Sequence, residues 1–377
     1  MNLRKKIMFL AAVVCPAILT IVVPQDAYGY GYQIKTSNGT KIVWASKAVT
    51  FSCGKKSFPA GSPYRDALTE AIYLWNQTPA NFTFGVNWGD GSLKRGNGQN
   101  EAWFSDNPSA LKDSPAVCWR WKYSSGGKLW WSEADIIFDA DEAWSPYSYP
   151  TSLWPYGGPY RPFVTTALHE MGHAMGLNHE NRFYNVMGED YTHIHTDQLE
   201  TVGYAGSDAT QGALFLYGKS GKYGWKEDVA VTHWMYGGKD GEYSKHKPTA
   251  MIRTDMWKEV DWEMLSGFKL YHVKPGTSYH AGFTFENTGY SDQPIVKMAG
   301  YISTNKAIST FDRFIGSTEI NLPAGAVWTT TVQLTIPADL KVGMIYYLGV
   351  VVDYQNNIGE FNEGNNSSFH QIKIISP

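Results

Sequence analysis

The chain is 377 residues long, 43% hydrophobic and 18% charged, a balance that argues against disorder and leaves room for two domains with separate cores. Its formal net charge is −3, so it has no basic surplus with which to hold nucleic acid. Fifteen Trp, 24 Tyr, 37 Gly and 18 Pro point to short strands, turns and aromatic surfaces, as in extracellular proteins that bind polymers or peptides.

In chain order, residues 1–29 read as a signal peptide. Arg4, Lys5 and Lys6 form the charged start, residues 7–23 the apolar stretch, and Ala27-Tyr28-Gly29 the small-x-small cleavage site. Secretion is expected, because Pro16 and Thr20 interrupt the apolar run. No other segment approaches the roughly 20 apolar residues of a stable membrane span. Cys15 does not mark a lipoprotein, since Val14 stands where a small residue would be wanted. Cleavage moves the formal net charge from −3 to −5, as three positive charges and Asp26 leave. Two cysteines remain, Cys53 and Cys118, and an even pair in an oxidising compartment most often forms a disulfide. The long loop so closed would contribute roughly 4 kcal/mol. The alternative, a cysteine masking a metal, has no recognisable pro-segment to carry it.

Residues 41–53 (KIVWASKAVTFSC) are rich in β-branched and aromatic side chains and predict two short strands. Ser62 as N-cap and Pro63 in the first turn open a helix, on which Leu68, Ala71, Ile72 and Trp75 recur at helical spacing until Asn76 and Pro79 stop it. Residues 81–88 (NFTFGVNW) and 134–140 (ADIIFDA) follow as strands. Residues 89–115, and 144–162 with five prolines and four tyrosines, read as long surface loops of the kind that line a cleft. A helix over 164–177 comes next, then Asn185-Val186-Met187-Gly188. Ser207-Asp208 then cap a last helix over 209–217, which Gly218 ends. From about residue 222 the texture changes to glycine-punctuated, strand-like pieces at 228–236, 279–285, 293–302, 328–336, 344–352 and 369–375. Such regular short strands predict an antiparallel β-sandwich.

The helix over 164–177 carries most of HEMGHAMGLNH, residues 169–179. Four residues apart on one helix face, His169 and His173 can point two imidazoles at one ion. Glu170 beside them can serve a metal-activated water as general base. Gly176 lets the helix end with a positive φ, so that the returning chain brings His179 as third ligand. Three neutral imidazoles and one open position suit catalytic zinc better than a closed structural site. Such an ion lowers the pKa of water to about 7 and polarises a carbonyl. With 10 His and 37 Gly in the chain, a chance H-E-x-x-H-x-x-G-x-x-H has a probability below about 10⁻⁴, which sets aside a merely solvated histidine face.

The motif resembles that of the metzincin zinc endopeptidases. Met187, eight residues after His179, is similar in spacing to the Met-turn of the matrixin branch. Ser207-Asp208 through Leu216-Tyr217-Gly218 resembles the final helix of matrixin catalytic domains, and with the early helix ending in Trp75-Asn76 the likeness covers about residues 30–218. The resemblance implies an α+β metzincin-like catalytic domain, a twisted mixed sheet plus long helices, that hydrolyses proteins or peptides. It further implies one catalytic Zn2+ on His169, His173 and His179, Glu170 as general base and Met187 as a hydrophobic floor. Some metzincins carry a tyrosine two residues after that methionine; here Glu189 stands there, and Tyr191 lies too far along to take the role. There is no vertebrate-type cysteine-switch propeptide. In these families an edge strand holds substrate by β-augmentation, which makes residues 134–138 the candidate ledge. Asp139, Asp141 and Glu142 could hold Ca2+, as matrixin loops often do, but a solvated acidic loop explains them equally and no Ca2+ ligand is assigned. His193 and His195 alternate as on a strand and are read as solvent-exposed rather than as a second metal site.

Residues 353–366 (DYQNNIGEFNEGNN) follow the apolar run 346–352 and resemble the closing signature of CARDB, bacterial immunoglobulin-like modules associated with cell-surface adhesion. Glu286-Asn287-Thr288-Gly289 and Leu322-Pro323-Ala324-Gly325 fit the same pattern, over roughly residues 270–377. The resemblance implies an all-β immunoglobulin-like sandwich that binds a cell surface or extracellular polymer. Asp353, Glu360 and Glu363 could gather a cation, but turn chemistry suffices for them. Residues 219–269, with Tyr243 and Trp257, are either a connecting segment or the first strands of this module. The expectation is thus a secreted zinc endopeptidase with a β-sandwich appendage. One alternative is a surface-adhesion protein with a non-catalytic metal site, which would not need Glu170. Another is a narrow cell-wall peptide hydrolase, which shares the zinc chemistry and differs in substrate.

Overall fold

A computed structural model describes residues 39–147, 153, 158–189, 194–197, 200–221, 227–233 and 249–377. The predicted signal peptide, Tyr191, His193 and Tyr243 lie outside these residues. Strand β1 (Ala48–Gly54) buries Val49, Phe51 and Cys53 at every second position, the period of a pleated chain. Helix α1 (Pro63–Gln77) has Ser62 at its N-cap and Pro63 at its first position, and buries Ala67, Leu68, Ala71, Ile72 and Trp75 along one stripe. Strand β2 (Thr83–Asp90) returns parallel to β1.

The stretch expected to be a loop over 89–115 instead holds β3 (Glu101–Ser105) and the one-turn helix α2 (Pro108–Leu111). Strands β4 (Ala116–Ser125) and β5 (Lys128–Asp139) then form a hairpin across Gly126 and Gly127, both at positive φ. Glycine is what such a two-residue turn requires. The five strands stand in the order β2-β1-β3-β5-β4, parallel except for β4. Residues 134–138 are therefore interior and not the expected ledge. They are buried on both faces, with Ala134, Ile136 and Phe138 toward the helices and Ile137 against Ala110 and Leu111, as an interior strand must be. The edge belongs to β4.

The expected disulfide is absent, and Cys53 and Cys118 are free thiols. Both lie in one cross-strand row: Cys53 opposite Ala102, Ala102 opposite Ile136, Ile136 opposite Cys118. Three strand spacings, on the order of 14 Å, separate them, against about 6 Å for a bridged Cα pair. Loop-closure entropy cannot overcome that geometry.

Short strands β6 (Trp144–Ser145) and β7 (Arg161–Pro162) pair and lead into helix α3 (Phe163–Met175). This helix is buried on almost every face and lies against α1, where Trp75 Nε1 donates to Leu168 O at 2.9 Å. A hairpin of β8 (Ile194–Asp197) and β9 (Glu200–Gly203) follows, then α4 (Ser207–Tyr217), ended by Gly218 at φ 76°. The loop carboxylates have local uses. Asp139 accepts the Asp141 N–H at 2.9 Å and Glu142 pairs with Arg161 at 3.3 Å.

Ten strands make the rest: β10 (Val229–Thr232), β11 (Met251–Arg253), β12 (Trp262–Leu265), β13 (Phe268–Val273), β14 (Ser278–Asn287), β15 (Gln293–Ser303), β16 (Arg313–Leu322), β17 (Val327–Thr335), β18 (Ile345–Val352) and β19 (Ser367–Ile374). One sheet joins β10, β11 and β17 to β14, and the other runs β12-β13-β19-β18-β15-β16. Phe283, Phe285, Val332 and Leu334 of the first pack with Val296, Met298, Leu348, Val350 and Ile372 of the second, giving the predicted sandwich core. It is not wholly antiparallel, because β13 runs parallel to β19. Residues 219–269 supply β10, β11, β12 and the first two residues of β13, and so contribute to both sheets. Asp353 accepts the N–H groups of Asn357 and Ile358 at 3.1 and 2.8 Å, which is turn chemistry.

The two parts meet at the start of α4. Fully buried Glu286 accepts the Tyr204 hydroxyl and, at 3.1 Å, the Ser207 N–H. Ser207 Oγ donates to Asn287 O at 2.6 Å and Gln211 Nε2 to Gly289 O at 3.0 Å. A carboxylate from the sandwich thus satisfies a donor in the first turn of α4 and complements its dipole. Two measurements test this architecture. Alkylation of protein denatured without reductant is expected to modify both Cys53 and Cys118. Tyr204→Phe removes one partner of a buried carboxylate and is expected to lower unfolding stability by about 1–3 kcal/mol in denaturant titration.

Candidate metal centre

Helix α3 presents His169 and His173 on one face, and Gly176, at φ 120°, ends it. The Gly176 N–H reaches Gly172 O and His173 O, Leu177 N–H also reaches Gly172 O, and the chain turns back. His179 Nε2 then lies 3.1 Å from His169 Nε2 and 3.0 Å from His173 Nε2. Every Nδ1 is already engaged: with Val186 O at 2.7 Å for His169, Leu177 O at 2.9 Å for His173, and Glu189 Oε1 at 2.8 Å for His179.

Those partners are oxygens that can only accept, so in each neutral ring Nδ1 carries the proton and Nε2 presents a lone pair. The His179 lone pair, 3.1 and 3.0 Å from those of His169 and His173, is repelled by both unless a cation lies among the three. Protonation is opposed by burial, which pushes the pKa of His169 down to about 3 and lowers those of His173 and His179. A tetrahedron with Zn–N bonds of about 2.0–2.1 Å has edges of roughly 3.3–3.4 Å, a few tenths more than the separations here. The residues therefore fit zinc.

The end of α3 is held by side chains from elsewhere. Arg120 on β4 donates to His173 O at 2.8 Å, Leu177 O at 3.2 Å and Asn178 Oδ1 at 3.3 Å. Trp44 Nε1 donates to Ala174 O at 2.8 Å, and the Tyr217 hydroxyl to Met175 O at 2.5 Å. The carbonyls that a helix leaves unpaired at its end are thus filled, and the turn that aims His179 is fixed. Met187 lies fully buried against the same helix. A Cβ at Gly172 would stand 2.3 Å from Met187 Sδ, so glycine between the histidines makes room for the sulfur.

Glu170 is only 2% exposed. The Cys118 N–H lies near its carboxylate, and Oε2 has no hydrogen-bond partner among the described residues. Burial pushes its pKa up to about 8, although nearby Arg120 opposes the rise. It opens into a cleft lined also by His173, His179 and residues Ala116, Val117 and Cys118 of β4. The structure thus brings together His169, Glu170, His173, His179 and Met187, and leaves Cys53 and Cys118 apart. Arg120 and the contact from Glu189 to His179 were not legible beforehand, since both depend on tertiary neighbours.

Comparison with known proteins finds two families along the chain. The family described as Matrixin matches residues 122–217, and the family described as CARDB matches residues 265–369. Matrixin is a zinc peptidase family, and CARDB domains occur in cell-surface proteins. The chain is similar to the CARDB domain of a Pyrococcus furiosus protein, crystallised in complex with di-metal ions, at 16% identity over 40% of this chain and 90% of that one, TM-score 0.25. It is also similar to residues 272–376 of a putative cell surface protein from Methanosarcina acetivorans, at 21% identity over 26% of this chain and 75% of that one, TM-score 0.20. No curated protein matches the chain. Among the described residues, no helix is long and apolar enough to cross a membrane.

Gly176→Ala tests the turn. A side chain there would adopt a disfavoured φ and bring its Cβ within 2.9 Å of Trp131 Nε1. The expected cost is about 1–3 kcal/mol in thermal or chemical unfolding of metal-free protein, together with weaker zinc binding by titration.

Proposed function

We propose that the chain is a secreted zinc-dependent endopeptidase. In this reading residues 1–29 are a signal peptide, 30–218 a metzincin-like catalytic domain, and 270–377 a CARDB-like module. That module holds the enzyme to a surface or polymer, and residues 219–269 join the two while lending strands to the sandwich. The observation that carries the proposal is the convergence of three Nε2 lone pairs beside a buried carboxylate with a free oxygen.

His169, His173 and His179 would hold the Zn2+, which when bound supplies a Lewis acid for the scissile carbonyl and for water. Glu170 holds and moves the proton. Its Oε2 is free to take one from the attacking water and return it to the leaving amine. Burial raises the basicity of the carboxylate toward that needed at neutral pH. Cys118 lies on the edge strand β4, whose outer side borders the cleft at residues 116–118. An extended peptide added there would place its carbonyl near Glu170 while its backbone satisfies the open edge. β4 thus takes the role first expected of residues 134–138.

The test is hydrolysis of casein by the metal-replete protein and by Glu170→Gln, with zinc measured in both. The expected result is zinc retained by the variant and a rate reduced by about 10²–10⁴-fold. Equal cleavage by both would remove Glu170 as general base. Stoichiometric zinc with no cleavage by either would favour the adhesive or cell-wall readings.

A further inference from the structure

Glu189 occupies the position, two residues after Met187, where some metzincins carry a tyrosine. It reaches a metal ligand rather than the cleft: its Oε1 lies 2.8 Å from His179 Nδ1. Its other oxygen is held from the opposite side, where Asn181 Nδ2 donates to Oε2 at 3.0 Å, and the Glu189 N–H returns to Asn181 Oδ1 at 2.9 Å. Asn181 and Glu189 therefore close a ring of two hydrogen bonds, which leaves the carboxylate little freedom to swing.

The ring sits within a doubled-back loop with its own cross-links. The Glu180 N–H donates to Met187 O at 3.0 Å, the Met187 N–H to Asn185 Oδ1 at 2.7 Å, and Asn185 Nδ2 to Glu180 O at 3.0 Å. These bonds tie the limb that carries His179 to the limb that carries Met187 and Glu189. His169 and His173 are oriented differently. They grow from a rigid buried helix, and their Nδ1 atoms meet backbone carbonyls. His179 has no helix beneath it, and its side chain is 42% exposed. It is the ligand with most rotational freedom to lose.

From this geometry we infer that Glu189, clamped by Asn181, is a positioning residue that fixes the tautomer and ring plane of His179 for metal binding. The inference rests on the metal-centre reading above. A carboxylate behind a ligating histidine both orients it and raises its basicity. Glu189 is 40% exposed, so solvent screens much of its charge, and orientation is the larger part. An amide in its place, which keeps an acceptor oxygen, should therefore preserve most of the effect, whereas a truncated side chain should not.

The experiment measures the dissociation constant for Zn2+ of the purified protein by competition with a chelating dye. It compares wild type, Glu189→Ala, Glu189→Gln and Asn181→Ala, with thermal unfolding of each in metal-free form. Glu189→Ala is expected to raise the constant about 10- to 100-fold. Glu189→Gln and Asn181→Ala should give smaller increases, and metal-free unfolding should stay unchanged for Glu189→Gln. Zinc binding by Glu189→Ala equal to wild type would overturn the inference and leave the metal centre standing. So would a Glu189→Gln loss as large as that of Glu189→Ala, since the role would then be charge. Failure of wild type to bind zinc would overturn both.

Discussion

The arrangement around residues 169–189 depends on the convergence of three imidazole lone pairs. Without a cation, the Nε2 lone pair of His179, 3.1 and 3.0 Å from those of His169 and His173, is repelled by both, and burial opposes relief by protonation. The neighbouring structure holds the rings there. Val186 O, Leu177 O and Glu189 occupy the outer nitrogens, two of them from the loop that follows His179 and one from just past the end of α3. The same contacts that select the tautomer also select the direction of the lone pair.

The scaffold explains why those contacts are available. A parallel sheet needs crossovers, and α3 follows β5 against its inner face, so that β4 and its Arg120 come to lie over the end of that helix. Trp44 and Tyr217, 173 residues apart in sequence, meet at the neighbouring carbonyls. The far end of α4 is capped by Glu286 of the sandwich. The β-sandwich therefore does not hang on a bare linker: the helix that contributes Tyr217 to the metal-site scaffold begins on a carboxylate of the second module.

Local chemistry was legible in the sequence where one element suffices. Ser62-Pro63 and the stripe ending in Trp75 located α1. The HExxHxxG spacing placed α3 and its glycine turn, and Gly218 marked the end of α4. Most sandwich strands were visible from alternation between turns. What was hidden depended on neighbours. β3 and α2 lie in a polar, glycine-rich stretch with no clear period, although Ala110 and Leu111 bury against Ile137. Strand order cannot be read from apolar runs, so residues 134–138 read as an edge and two cysteines read as a pair. Three strand spacings make that bond geometrically impossible. Glu189 was noticed only as a departure from a pattern, and its contact with His179 required the fold.

The measurement that tests the central claim most directly is X-ray absorption spectroscopy at the zinc edge of protein loaded with one equivalent of zinc. The account predicts three imidazole nitrogens at about 2.0–2.1 Å with one further light-atom ligand and no sulfur. A sulfur shell at about 2.3 Å, which would bring a cysteine such as Cys118 into the site, would contradict it. So would an ion with fewer than three imidazoles.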